Sequence, residues 1–266
     1  MTEKARTDKE ILTLQAVGLT DTGRVRKNNE DSFLVERPDK RQAFPRLICM
    51  VADGMGGQDY GEVASQLAVK IFHQEAGQLT DSGDVAGWLK NTVIKVHREV
   101  RRQLDLLRPG NGMGSTLVAG VFSGQQCCLA NVGDSRAYLL RDGTLHRITK
   151  DHSLMEVMLD KGLIQAEEVY THPRRGELTR YIGQPAELDV DISVVDHLKA
   201  GDVMLFCSDG LWEMVRDAEM ASILRNSSDL IGAGATLINR ANQSGGADNI
   251  TAVVVQVTGN TLLVRR

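Results

Sequence analysis

No stretch of this chain is apolar over the roughly 18 residues that a bilayer-crossing helix needs. Residues 1–10 are charged and lack the apolar core of a secretory signal, so a cytoplasmic protein is the expectation. Basic charge is also short: 31 Lys and Arg stand against 35 Asp and Glu, and only 4% of residues are aromatic. The cationic, stacking surface that binds nucleic acid is therefore not expected. Cysteine is scarce, and Cys49, Cys127, Cys128 and Cys207 all fall in apolar strand-like runs with no C-x-x-C pair. They read as buried free thiols rather than metal or redox groups. Internal repeats and low-complexity segments are missing too. What is present is ordinary globular composition, 266 residues at 42% hydrophobic and 25% charged, long enough for a sizeable core.

Hydrophobic periodicity divides the chain into strands and helices. Residues 11–20 suit a strand, 21–31 form a dense polar stretch, and 32–35 a short strand. A Pro-bearing loop then leads to an uncharged run at 47–52. Residues 62–76 repeat at helical spacing through Val63, Leu67, Ile71 and Phe72. A second helix follows on Val85, Leu89, Val93, Val96, Val100, Leu104 and Leu107, with Asp84 as its cap and Pro109-Gly110 as its stop. Its cations Lys95, Arg98, Arg101 and Arg102 read as a solvated face. Strands are expected at 116–122 and 126–132, with a hairpin 137–140/144–148 across Asp142-Gly143. Ser153 and Glu156 form a capping-box pattern opening a helix towards Lys161. Residues 162–186 are polar, contain Pro173 and Pro185, and read as a mobile flap or surface subdomain. Further strands (188–195, 203–207, 250–257) and helices (218–225, 229–242) complete an α+β layered fold rather than a βαβ array.

Acidic residues recur where strands end. Residues 47–52 lead into Asp53-Gly54, 127–132 into Gly133-Asp134, 203–207 into Ser208-Asp209-Gly210, and Asp248-Asn249 precedes the last strand. Any one of these alone is a common turn, as Asp142-Gly143 illustrates. Together they place carboxylates where side chains from several strands can converge. Such a cluster repels itself without cations between its members. Oxygen donors without nitrogen or sulfur point to Mg2+ or Mn2+ rather than zinc. Arg26, beside Glu30 and Asp31, is a guanidinium suited to bidentate capture of phosphate.

Seven motifs run in order along the chain: GRVRKNNED at 23–31, VADGMGG at 51–57, GST at 114–116, NVGDSR at 131–136, DHS at 151–153, CSDGLW at 207–212 and DNIT at 248–251. Over residues 12–258 the chain resembles the metal-dependent Ser/Thr protein phosphatases, the protein phosphatase 2C-like or PPM family, in its compact bacterial form. The resemblance implies a four-layer α/β/β/α sandwich of two antiparallel sheets packed face to face and flanked by helices. It implies one domain over residues 11–258 with a flap at about 155–185, between a charged tail at 1–10 and a C-terminal tail at 259–266. It also implies that Asp53 bridges two ions, that the Gly54 carbonyl binds one, and that Asp209 and Asp248 hold the other. Asp134, with Asp209, would bind a third, weaker ion. Arg26 would grip the substrate phosphate, and Glu30 and Asp31 would orient bound water. The expected reaction is direct attack of a metal-bridging hydroxide on phosphoserine or phosphothreonine.

Met55 departs from the eukaryotic pattern, where histidine follows Asp-Gly; a metal-bound water near Asp134 or another group must then protonate the leaving oxygen. His152 reads as structural rather than as the substitute acid. Thiolate chemistry is excluded, because Met55, Gly133, Asp134 and Glu213 stand six positions after the cysteines where that mechanism needs arginine. The rivals are a two-metal phosphodiesterase or nuclease, disfavoured by the acidic balance, and a catalytically weak regulatory or phosphopeptide-binding relative. The implied partners are phosphorylated proteins, a Ser/Thr kinase and its substrates, with no nucleic acid and no membrane span. Arg174-Arg175 in the flap reads as a solvated pair.

Overall fold

A computed structural model describes residues 11–36, 46–56, 60–77, 79, 83–107 and 113–260. The tails at 1–10 and 261–266, most of the Pro-bearing loop, Gly57 and the Pro109-Gly110 stop lie outside the described residues.

The first three strands are β1 (Ile11–Asp21), β2 (Asp31–Glu36) and β3 (Arg46–Gly56), followed by helices α1 (Tyr60–Ala76) and α2 (Val85–Leu107). Strands β4 (Met113–Ser115), β5 (Leu117–Ser123), β6 (Gln126–Val132), β7 (Arg136–Arg141) and β8 (Thr144–Arg147) come next. Helix α3 (Leu154–Asp160) and a 3-10 turn (Ala166–Tyr170) precede β9 (Asp191–Val195) and β10 (Val203–Cys207). The chain closes with α4 (Asp209–Trp212), α5 (Asp217–Asn226), α6 (Leu230–Gln243) and β11 (Ile250–Asn260). The last strand therefore runs two residues beyond the expected domain end at 258.

All the pairings are antiparallel and form two sheets, β1-β11-β10-β7-β8 and β2-β3-β5-β6-β9, with β4 added beside β3. The strand period of two explains why residues 47–52 are continuously apolar. Leu47, Cys49 and Val51 enter the core between the sheets with Leu129, Phe206 and Val253. Ile48, Met50 and Ala52 face the opposite way, under Ala68, Phe72 and Val93 of α1 and α2. The other sheet is covered on its outer side by α4, α5 and α6 through Trp212, Met220 and Leu237. Four layers result, α/β/β/α, as expected.

Two helices differ from their expected faces in instructive ways. Val63 is 39% exposed. The buried line of α1 instead runs through the small residues Gly61, Ala64, Ser65 and Ala68 before Ile71 and Phe72, allowing close approach to β3. At α3, Ser153 accepts from the Glu156 amide, but the Glu156 carboxylate does not reach back. It pairs with Arg147 at 3.0 Å instead, so only half of a capping box forms. The Asp84 cap holds, accepting from Gly87 N–H at 3.0 Å.

The segment read as a mobile flap is anchored at its return. Leu178 bridges to Ser153 and Ile182 to Ser115. Gly183 N–H donates to His97 Nδ1 on α2 at 3.2 Å. Of the two flap arginines, Arg174 stays on the solvated surface in a pair with Glu177, while Arg175 reaches the partly buried Glu213.

Candidate active site

A cleft of about 330 Å3 opens where the two sheets meet at one end, and it gathers Arg26, Glu30, Asp53, Asp134, Asp209 and Asp248 in its wall. Gly54, Met55, Thr116 and the flap residues Gly176 and Leu178 also line it. A larger groove of about 440 Å3 between α5 and α6 is lined by Ser222, Asn226, Ser227, Thr236 and their neighbours, none of them ionisable, and offers no comparable chemistry.

Asp53 lies inside β3 rather than at its end, a correction to the strand-end reading. Through Val51 the strand pairs with β5, and from Gly54 onwards it pairs with β4. The change of partner occurs at Thr116. Thr116 N–H donates to Asp53 O at 2.8 Å, Ser115 Oγ donates to the same oxygen at 3.0 Å, and Asp53 N–H donates to Thr116 Oγ1 at 3.1 Å. The Gly-Ser-Thr motif thus fixes the Asp53 backbone. Gly54 is required by contact: a Cβ there would lie 2.2 Å from the Gly61 carbonyl oxygen.

Asp134 sits on the turn after β6, where Gly133 adopts φ +100°. That turn is clasped by His152: Gly133 N–H donates to His152 Nδ1 at 3.0 Å and His152 N–H donates to Gly133 O at 2.9 Å. With Nδ1 accepting, the ring proton belongs on Nε2, 3.2 Å from Asp191 Oδ2. Burial lowers the His152 pKa, so the neutral ring is favoured. His152 does not line the cleft, and its structural reading holds. Trp212 Nε1 donates to Asp134 O at 3.0 Å while the Arg136 guanidinium stacks 3.4 Å above the Trp212 ring.

Asp31 is not in the cleft wall but behind it, accepting from Ser208 Oγ at 2.7 Å. Ser208 Oγ in turn accepts from Thr251 N–H at 3.0 Å, so the residues preceding Asp209 and following Asp248 are tied together. Burial raises the Asp31 pKa to about 6. Arg26, half-exposed, donates through Nη2 to Asp248 Oδ2 at 2.6 Å.

The wall carries more negative charge than it satisfies. Burial, then repulsion from Asp31, Asp209, Asp134 and Asp248, holds the Asp53 carboxyl well above the usual carboxylate range. Asp209 is raised in the same way by burial and by Asp134 and Asp248. Asp134 is pushed up to about 7, chiefly by burial and then by Asp151. Asp209 Oδ1 is fully buried without a hydrogen-bond partner. A buried, unpartnered carboxylate oxygen among other carboxylates is the environment a divalent cation relieves, and the oxygen-only donor set fits Mn2+ or Mg2+. Among the described residues no group of three or more His, Cys, Asp or Glu side chains is already arranged to hold a metal ion.

The family model for protein phosphatase 2C matches residues 23–253. The chain belongs to that family. It is 40% identical over 241 residues to the serine/threonine phosphatase stp of Listeria innocua, covering 89% of this chain and 93% of the relative. It also superposes on the crystal structure of the Mycobacterium tuberculosis serine/threonine phosphatase PstP with TM-score 0.82 and 35% identity, covering 92% of this chain and 99% of that one. The PstP catalytic domain in complex with two manganese ions gives TM-score 0.81 at 35% identity, over 93% and 99% of the two chains. The sandwich fold and the enzyme class, a bacterial protein serine/threonine phosphatase, follow from that membership.

Three contributors to the site escaped sequence reasoning. Glu213, one turn after Asp209, has its carboxyl raised chiefly by burial and meets Arg175 of the flap at 3.2 Å. Its i+4 spacing from Asp209 was the available signal. Ser208 and Asn249 were visible only as neighbours of the aspartates.

Proposed function

We propose that this chain hydrolyses phosphoserine and phosphothreonine esters in proteins, with divalent ions held by Asp53, Gly54, Asp209 and Asp248 and a weaker position at Asp134 and Asp209. The observation that carries this reading is the crowding of the Asp53, Asp134 and Asp209 carboxylates around the unpartnered Asp209 Oδ1, facing a cleft rimmed by Arg26 and Asp248. When bound, Mn2+ or Mg2+ would supply positive charge to the phosphoryl oxygens and lower the pKa of a water nucleophile towards neutrality.

The chain's own residues do the rest. Arg26 turns its planar fork from Asp248 to the phosphoryl oxygens and fixes the ester for in-line attack. Glu30 lines the cleft and orients water; its own carbonyl is locked by Gly54 N–H at 3.1 Å and Ser65 Oγ at 2.6 Å. Asp31 serves from behind, by holding Ser208. Met55 offers no proton and no histidine lines the described wall, so the leaving oxygen takes its proton from water reaching the cleft. We assign one domain, with its end moved from 258 to the end of β11 at 260, since Asp53 comes from one sheet while Asp209 and Asp248 flank strands of the other. We place the enzyme in the cytoplasm, opposing a Ser/Thr kinase, in keeping with four free, buried cysteines.

The test is phosphate release from a phosphothreonine peptide with Mn2+, with chelator, and with Asp209→Asn. Chelation or the substitution should lower turnover on the order of 10^3-fold or more, the scale of losing the electrostatic centre of a reaction. Undiminished release in chelator would overturn the metal assignment. Plasmid nicking without phosphopeptide turnover would favour the nuclease reading, and peptide binding without release the regulatory one.

A further inference from the structure

The loop at 22–30 carries Arg26 and Glu30, yet it is neither helix nor strand and its cations are exposed. What gives it a shape is one buried amide. Asn249 Nδ2 donates to Thr22 O and to Asn28 O, both at 2.9 Å, and Asn249 Oδ1 accepts from Glu30 N–H at 2.8 Å. Both amide protons and the amide oxygen are therefore spent on the two ends of a single loop. The same residue donates its own N–H to Asp248 Oδ1 at 2.8 Å. Two further contacts press the loop against this corner. Arg24 N–H donates to Gly246 O at 2.8 Å, and a Cβ on Gly23 would stand 2.2 Å from Asp248 O. On its other side the Asn249 carbonyl lies 2.0 Å from where a Gly210 Cβ would be, directly beside Asp209.

Asp248 and Asn249 thus act on the loop from two directions. Asp248 meets the tip of Arg26, while Asn249 closes the ring of backbone from which Arg26 projects. No other common side chain supplies two donors and an acceptor in this planar arrangement at this length.

We infer that Asn249 is the positioning residue for phosphate capture, setting the place of Arg26 and Glu30 relative to the carboxylate cleft without touching substrate. This rests on Arg26 being the phosphate clamp. It predicts that loss of the amide is felt in KM through Arg26 and is redundant once Arg26 is gone.

A double-mutant cycle tests it, with Asn249→Ala and Arg26→Ala singly and together, assayed on a phosphothreonine peptide at saturating Mn2+, with folding followed by circular dichroism. Asn249→Ala should raise KM about tenfold, the scale of one or two lost hydrogen bonds, with a smaller change in kcat. In the Arg26→Ala background the same substitution should change KM by less than about twofold, since residues acting as one unit are not additive, while the smaller kcat effect through Glu30 persists. Asn249→Asp keeps the acceptor for Glu30 N–H and the volume but loses both donors, and it should raise KM in the same way. Equal effects of Asn249→Ala on KM in both backgrounds, or a fall in kcat with KM unchanged, would overturn the inference. So would unfolding of both Asn249 variants, which would place the amide in the folding of the domain instead. A fully active Arg26→Ala protein sinks the clamp reading itself, a result separate from any of these.

Discussion

Asp151 and Asp209 each keep a carboxylate oxygen out of water, and they could hardly be treated more differently. Asp151 accepts from Arg136 Nε at 3.0 Å and Nη2 at 2.6 Å, a bidentate pair whose two side chains are only 5% and 3% exposed, and Arg147 stands at 3.5 Å. Arg136 also donates to Tyr138 Oη at 3.1 Å. Every charge there has its partner. Asp209 Oδ1 has none, and the acids around it push its carboxyl further from ionisation. A met charge marks scaffold, and an unmet one marks the place where something else binds.

The largest expected break in that comparison is functional. Asp209→Asn should abolish turnover while leaving the fold intact, because it removes repulsion along with a proposed metal ligand. Asp151→Asn should do the reverse, leaving Arg136 buried against half a partner. Breaking a buried pair costs about 3–5 kcal/mol, read as a lowered Tm, with metal response retained in the fraction that folds. Equal loss of stability in the two variants would erase the distinction between them.

A smaller effect separates the clusters by pH. The Asp31 and Asp134 carboxyls lie near 6 and 7 against an ordinary value of 3.8, so the folded, chelated protein holds protons that the unfolded chain releases. Their contribution to stability is complete below about pH 4 and is lost as pH rises through about 6–7. Thermal unfolding in chelator should show Tm falling across that range, and Mn2+ should cancel the fall. A chelated Tm that rises from pH 4 to 7 would mean that the cleft carboxylates are not the frustrated groups described.

The smallest effect concerns another Asp-Gly pair. Asp142, at φ 52°, and Gly143, at φ 82°, form the two-residue turn of the β7-β8 hairpin, and Asp142 meets Lys199 at 2.8 Å on the surface. Asn tolerates the same backbone, so Asp142→Asn should leave Tm and turnover where they are. A large loss there would mean that pair is more than a turn.

The same contrasts mark how far the order of amino acids alone can be read. Asp53-Gly54 and Asp142-Gly143 are identical as dipeptides. What separates them is context along the chain, the recurrence of acids at the ends of apolar runs and seven ordered motifs. The buried strand at 47–52 is legible because its residues are apolar on both faces, whereas the four layers followed only from the family resemblance. The partners of the acids are not legible. Whether Asp31 lines the cleft or stands behind it depends on Ser208, 177 positions away in sequence. The clasp of His152 on Gly133 and the amide of Asn249 are likewise side chain-to-backbone bonds, which leave no periodicity to find. The small buried face of α1 escapes notice because alanine, serine and glycine carry little hydrophobic signal, although their size is what lets the helix approach β3.

Asp53 and its neighbours are proposed to hold cations because their carboxylates crowd one another in the cleft. Thermal unfolding of wild type and Asp53→Asn, each in chelator and in excess Mn2+, measures this most directly. Asp53→Asn should be at least as stable as wild type in chelator, and Mn2+ should raise Tm strongly in wild type and little in the variant. An equal Mn2+ shift in both proteins, or a variant that is destabilised in chelator, would contradict a site of that kind.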